Sequence, residues 1–176
     1  MKMRTSIVAA LLLLGAATPQ LVGAQFPSTG DFDPTGTWEG DVSCRTQVDG
    51  TPQKADLHDQ IIKISPGGGG FFLILAGRES LVFDFRYRGS FTPDAKKPSE
   101  RGAGTFVECR TSTEIPGRYN EVLSVNFKGT AEEARLEGTS AYNQAPLRLQ
   151  GGVCRLSFKR ISSEDPGVSD PCPPTP

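Results

Sequence analysis

The sequence predicts an all-β protein: a single eight-stranded antiparallel up-and-down barrel, disulfide-stabilised. Three observations predict it. Eight strand-like stretches follow one another at short spacing, joined by hairpin-sized turns rich in Gly, Pro and Asp. No stretch carries a convincing helical periodicity. Four cysteines sit in a 176-residue chain that opens with an export-type segment, so two disulfides are expected, with three possible connectivities. The same strand pattern also fits a two-sheet β-sandwich, which is the alternative fold.

Residues 1–24 read as a secretory signal peptide. Lys2 and Arg4 form a basic start, residues 7–17 an apolar run, and Val22-Gly23-Ala24 a small-residue cleavage site before Gln25. The apolar run is too short for a good membrane span, and no cysteine follows it to carry a lipid, so no stable membrane anchor is expected. The signal has a bacterial cast, although a eukaryotic secretory signal has the same parts. The expected location is the periplasm or the cell exterior. Removing the signal leaves seventeen basic and twenty acidic residues, a formal charge of −3. A nucleic-acid partner would require a basic surplus, so none is expected. Arg86-Tyr87-Arg88 and Lys96-Lys97 read as solvated strand and loop positions.

Residues 25–35 form a flexible lead of Pro, Ser, Thr, Gly and Asp, anchored only by Phe26 and Phe32. It is either mobile or laid along the barrel. The Asp31-x-Asp33-x-Thr35-Gly36 run resembles half a calcium loop, but Pro34 and Val42 at the twelfth position break it. The barrel domain is assigned to residues 36–161. Its first strand alternates Trp38, Gly40, Val42 and Cys44 on a buried face with Thr37, Glu39, Asp41 and Ser43 on a wet one. Gly40, on the buried side, leaves room for close backbone approach or strong coiling. Residues 46–54, with Asp49-Gly50 and Pro52, read as a turn.

Strand two is placed at 56–65 and is followed by Pro66 and a four-glycine loop, Gly67 to Gly70. Without a following Lys-Ser/Thr those glycines make a hairpin and not a phosphate cradle. Strand three, 71–76, is apolar on both faces and needs a cover: the lead, the C-terminal tail or another subunit. Strand four, 81–89, sets Leu81, Phe83, Phe85 and Tyr87 against Val82, Asp84, Arg86 and Arg88. A long polar loop is assigned to 90–102. Strands five (104–111), six (119–129) and seven (134–142) follow, with Leu123, Val125 and Phe127 sharing one face and Leu136, Gly138 and Ser140 another. In strand eight the apolar parity switches from Leu147 and Leu149 to Cys154, Leu156 and Phe158, so a one-residue bulge is expected at Gly151-Gly152. Residues 162–176 are a Pro-rich tail, ordered only if Cys172 ties it down.

Gly36-Thr37-Trp38 resembles the Gly-x-Trp signature that opens the first strand of lipocalins and other calycins. The resemblance implies a Trp38 that plugs one barrel end, with an arginine from the last strand, Arg160, packed across it. Trp38 as an ordinary core aromatic is the plainer alternative. If Trp38 lies opposite Arg160 in an antiparallel ladder, partner numbers sum to 198 and Cys44 falls opposite Cys154. A Cys44–Cys154 disulfide closing the barrel is then expected, with a cation–π contact of Arg160 on Trp38. Cys109 and Cys172 are left as the second pair. The lipocalin Thr-Asp-Tyr motif and flanking C-terminal helix are not evident in this chain, and avidin-like barrels use several pocket tryptophans where this chain has one.

No residue set specifies a reaction. His58 is the one histidine; Asp56 shares its face and Asp59 does not. A Gly-x-Ser-x-Gly elbow is missing, and oxidised thiols do not serve as nucleophiles. Glu132-Glu133 and Glu164-Asp165 lie in a turn and the tail. No catalysis, metal or cofactor is expected. Two binding readings remain. In one, the barrel is a cup for a small apolar or amphipathic ligand, lined by Trp38, Leu81, Phe83, Phe85, Tyr87, Leu123, Val125, Phe127 and Leu136; the same side chains would also suffice to fill it. In the other, a solid barrel is a scaffold for a protein partner, such as a periplasmic enzyme inhibitor, presenting a loop or terminus. Strand three, the 90–102 loop and the lead motivate the second.

Overall fold

The computed structural model describes residues 30–48, 50–67, 71–77, 85–109, 118–130, 132–145 and 149–169. They form a closed barrel in the order β1-β2-β3-β4-β5-β6-β7-β8, every neighbouring pair antiparallel. The strands are β1 (Gly36–Val48), β2 (Thr51–Pro66), β3 (Phe72–Gly77), β4 (Phe85–Pro93), β5 (Arg101–Glu108), β6 (Arg118–Gly129), β7 (Ala134–Ala145) and β8 (Leu149–Ser162). Among the described residues there is no helix. The fold is thus the up-and-down barrel and not the sandwich: β1 pairs with β8 as well as β2, which leaves no open sheet edge along its length.

The seam carries the predicted register. Trp38 lies opposite Arg160 and Cys44 opposite Cys154. Cys44 and Cys154 are bonded, with their sulfurs 2.10 Å apart and their Cα atoms 3.9 Å apart. Further along, Thr46 opposes Gly152 but Val48 opposes Leu149. One extra β8 residue is therefore accommodated there, the bulge that the parity switch required. Cys109 is also disulfide-bonded, and its predicted partner, Cys172, lies outside the described residues.

Several boundaries differ from the sequence reading, among them the end of β7, which runs on to Ala145, and of β5, which stops at Glu108. The stretch read as a turn at 46–54 is mostly ladder: Thr46, Gln47 and Val48 pair with Gln53, Pro52 and Thr51. The ladder runs to the Val48–Thr51 pair, and Gly50 in the connection has φ 78°, a conformation suited to a tight hairpin. The loop assigned to 90–102 is shorter, because residues 90–93 continue β4 and pair with Thr105 to Gly102 of β5. The connection is residues 94–100. Asp94 organises it, its Oδ1 accepting from the backbone N–H groups of Lys96 (2.8 Å) and Lys97 (2.9 Å). Strand five correspondingly starts at Arg101.

Glycines let the small barrel close. Gly40 faces Phe158 across β1–β8, and a Cβ there would come within 2.6 Å of Phe158 Cα and 2.9 Å of its Cγ. Gly89 stands in the same relation to Phe106, at 2.6 Å from Cα and 2.7 Å from Cδ1. In each pair a ring lies over a bare backbone, which permits tight coiling and re-covers the exposed peptide.

The two-faced strand β3 is covered as well. Phe72, Ile74 and Ala76 point into the core, whereas Leu73 points out yet is 3% exposed. Its cross-strand partner Ser65 is equally buried and donates to Asp165 Oδ1 (2.6 Å), while the Val168 N–H donates to Ser65 Oγ (2.8 Å). The tail is thus laid over the outer face at the Ser65–Leu73 pair, by contacts independent of Cys172.

Candidate functional site: a barrel plugged at one end and hollow at the other

The Trp38 end is solid. Trp38 is fully buried, and its indole Nε1 donates to Pro34 O at 3.2 Å. Phe32, the last aromatic of the lead, caps the barrel. Its ring lies 5.8 Å from Phe127 and 6.1 Å from Phe91, and its N–H donates to Pro98 O (2.6 Å) of the β4–β5 connection. The described part of the lead, residues 30–35, is therefore laid against the barrel mouth. Phe127 joins Trp38 (5.5 Å, edge-on) and Phe91 (5.5 Å), and Phe91 reaches Phe72 (6.1 Å). Arg160 closes the cluster from the last strand, its guanidinium 4.7 Å from the Trp38 ring and 5.0 Å from Phe32. It donates to Asp33 O. Burial lowers its affinity for the proton, an effect that Asp33 partly offsets.

The opposite end holds a cavity of about 220 Å³. Apolar side chains from five strands line it, among them Val42, Leu57, Ile62, Ala76, Leu123 and Leu156, together with the Cys44–Cys154 bridge. Leu57 is 44% exposed, so solvent reaches the wall there. The polar groups are Gln60, Tyr87, Glu121 and Ser140. Tyr87 and Glu121 are both buried, and the Tyr87 hydroxyl donates to Glu121 Oε2 at 2.8 Å. Glu108, half-buried with its carboxylate oxygens shielded from solvent, stands opposite Tyr87 on β5.

A bulge in β2 shapes this wall. Gly40 pairs with Gln60 but Val42 with Leu57, so His58 and Asp59 together oppose Asp41. Asp59 takes φ 54°, and Gln60 Nε2 donates to the His58 carbonyl (2.7 Å) at the bulge. Below the bulge the even-numbered Ile62 and Ile64 point inward; above it the odd-numbered Leu57 does. His58 is left outside, where its Nδ1 meets Asp41 Oδ1 at 2.9 Å with both side chains mostly exposed. The β1 carboxylate of Asp41 is thus its hydrogen-bond partner, while Asp56, whose charge His58 also feels, bonds Lys54 (2.8 Å).

Of the residues expected to line a cup, Tyr87 and Leu123 do so. Trp38, Val125, Phe127 and Leu136 are buried in the solid part of the core. Leu81 and Phe83 lie outside the described residues, as does the side chain of Phe85. The sequence reading missed Glu121, although it shares odd parity with Leu123, Val125 and Phe127, which marks it as an inward carboxylate.

These features define a class: a small closed β-barrel, plugged at one end and hollow at the other. No protein-family model matches the chain, and neither a curated protein nor a solved structure is found to be similar to it.

Proposed function

We propose that this is an exported, non-catalytic binding protein that holds one small amphipathic molecule in the hollow end of its barrel. The observation that carries the reading is the cavity itself: apolar walls around a buried Tyr87–Glu121 pair. Such a site favours a ligand with an apolar body and a hydrogen-bonding head directed at those two groups. At about 220 Å³ it lies below the usual range for drug-sized pockets, which limits the ligand to a small one. Export is supported by the signal-like residues 1–24 and by the seam disulfide, a bond that persists in oxidising compartments.

The alternative reading, a scaffold for a protein partner, draws on β3, the lead and the β4–β5 connection. The tail covers β3 at Leu73 and residues 30–35 pack on the plug, while residues 94–100 of the connection stay exposed.

The test is native mass spectrometry of the mature protein, purified from its host without unfolding. A retained adduct of defined mass, lost in a Val42→Phe variant that fills the cavity wall, supports the reading. A bare wild-type protein that also takes up none of a panel of small amphiphiles overturns it.

A further inference from the structure

The outer face of β5–β8 near the plugged end carries an unusual cross-strand row. Arg101 lies opposite Lys128, Lys128 opposite Arg135, and Arg135 opposite Lys159. Four cations from four successive strands thus stand side by side, all exposed. At the usual strand spacing the row is about 14 Å long. Directly opposed like charges destabilise a sheet, and here three successive pairs are of one sign. Among the described residues, none of the four is in ion-pair contact with a carboxylate. Glu39 ends the row beyond Lys159, and Asp94 lies near Arg101 at the other end.

All four cations line one groove of about 910 Å³. Ala103 and Asn126, a cross-strand pair, also line it. Asp94, Glu132, Glu133 and Glu137 line it too, as does Arg160, so the cation row is flanked by acidic groups. The groove therefore offers a line of point charges at strand spacing, with amide and carboxylate acceptors beside it.

We propose that this groove binds a linear acidic polysaccharide bearing one carboxylate per sugar. The carboxylates would pair with the cation row and relieve its internal repulsion. The hydroxyls would hydrogen-bond to Asn126 and the flanking glutamates. A nucleic-acid duplex fits less well, because its charge density, about one per 1.7 Å, is about three times that of the row.

The experiment is titration calorimetry of the mature protein with a galacturonate oligosaccharide of at least four units, at low and moderate salt. Binding should weaken with salt. In a Lys128→Gln/Arg135→Gln variant, affinity should fall at least tenfold and the steepness of the salt dependence should roughly halve, as two of four charge contacts are lost. A charge-matched control, Lys54→Gln/Lys63→Gln on β2, should bind like wild type, and Trp38 emission verifies that all variants are folded. The proposal is overturned by no binding at low salt, by equal losses in both variants, or by tighter binding of single-stranded DNA or a polyglutamate peptide of matched charge.

Discussion

Arg160 stands directly opposite Trp38 across the β1–β8 seam, its guanidinium 4.7 Å from the indole ring. One side chain thus covers the plug, stacks on Phe32 and binds the Asp33 carbonyl. The arginine therefore joins the lead, the first strand and the last. Replacing Arg160 by Met keeps much of the stem packing but removes the stacked cation, and should cost about 1–3 kcal/mol. Lys at this position keeps charge without the planar face and should fall between Met and wild type. Denaturant unfolding followed by the emission of Trp38, the sole tryptophan, measures both. Equal stability of all three proteins would deny the plug any energetic role.

The seam disulfide joins residues 110 apart in sequence, so it constrains a large loop in the unfolded chain. Replacing Cys44 and Cys154 together by Ser should cost about 3–5 kcal/mol and lower Tm by roughly 10 °C. Non-reducing calorimetry checks this. Because the bridge also walls the cavity, the variant should lose ligand retention even where it remains folded.

Acid should act through the β4–β5 connection. The backbone N–H groups of Lys96 and Lys97 hold the Asp94 carboxyl below its ordinary value of 3.8. A folded-state pKa below the unfolded one means that the unfolded chain binds more protons. The contribution is therefore present at neutral pH and disappears as pH falls through the carboxylate range toward the folded-state value. Asn at this position keeps an acceptor but no charge. The stability advantage of wild type over Asp94→Asn should thus be present at pH 7 and shrink below about pH 4. Parallel pH–Tm curves would show that the Asx turn carries no linkage.

Ser65 ties the described part of the tail to β2, donating to Asp165 and accepting from Val168. Ser65→Ala should cost about 1–2 kcal/mol and free the tail. Faster amide exchange at Gly167 and Val168, without change in the β1–β8 seam, is the outcome to look for. Unchanged protection there would place the tail's anchor elsewhere.

Much of the barrel was legible because a strand's side-chain period is two. The alternation at Trp38, Gly40, Val42 and Cys44 identified the inner face, and parity required the extra residue near Gly151. One register placed Trp38 on Arg160 and Cys44 on Cys154 together, and the seam adopts it. Glu121 was legible by the same parity. The β2 bulge was not: Asp59 is held at positive φ by pairing on both sides of it, and local sequence does not report pairing.

The sequence by itself thus determined the strands, their inner faces and the closing seam, because these follow from a short period and a few opposed pairs. Tertiary structure alone decided which half of the interior is filled. That outcome depends on how rings from β1, β3, β4, β6 and the lead meet at one end, and on how the β2 bulge redirects Leu57 at the other. It decided the tail's place as well, since Ser65 and Asp165 lie 100 residues apart. It also aligned Arg101, Lys128, Arg135 and Lys159, four cations that nothing in the linear order brings together. Packing and register are collective properties of several strands, and a one-dimensional pattern does not encode them.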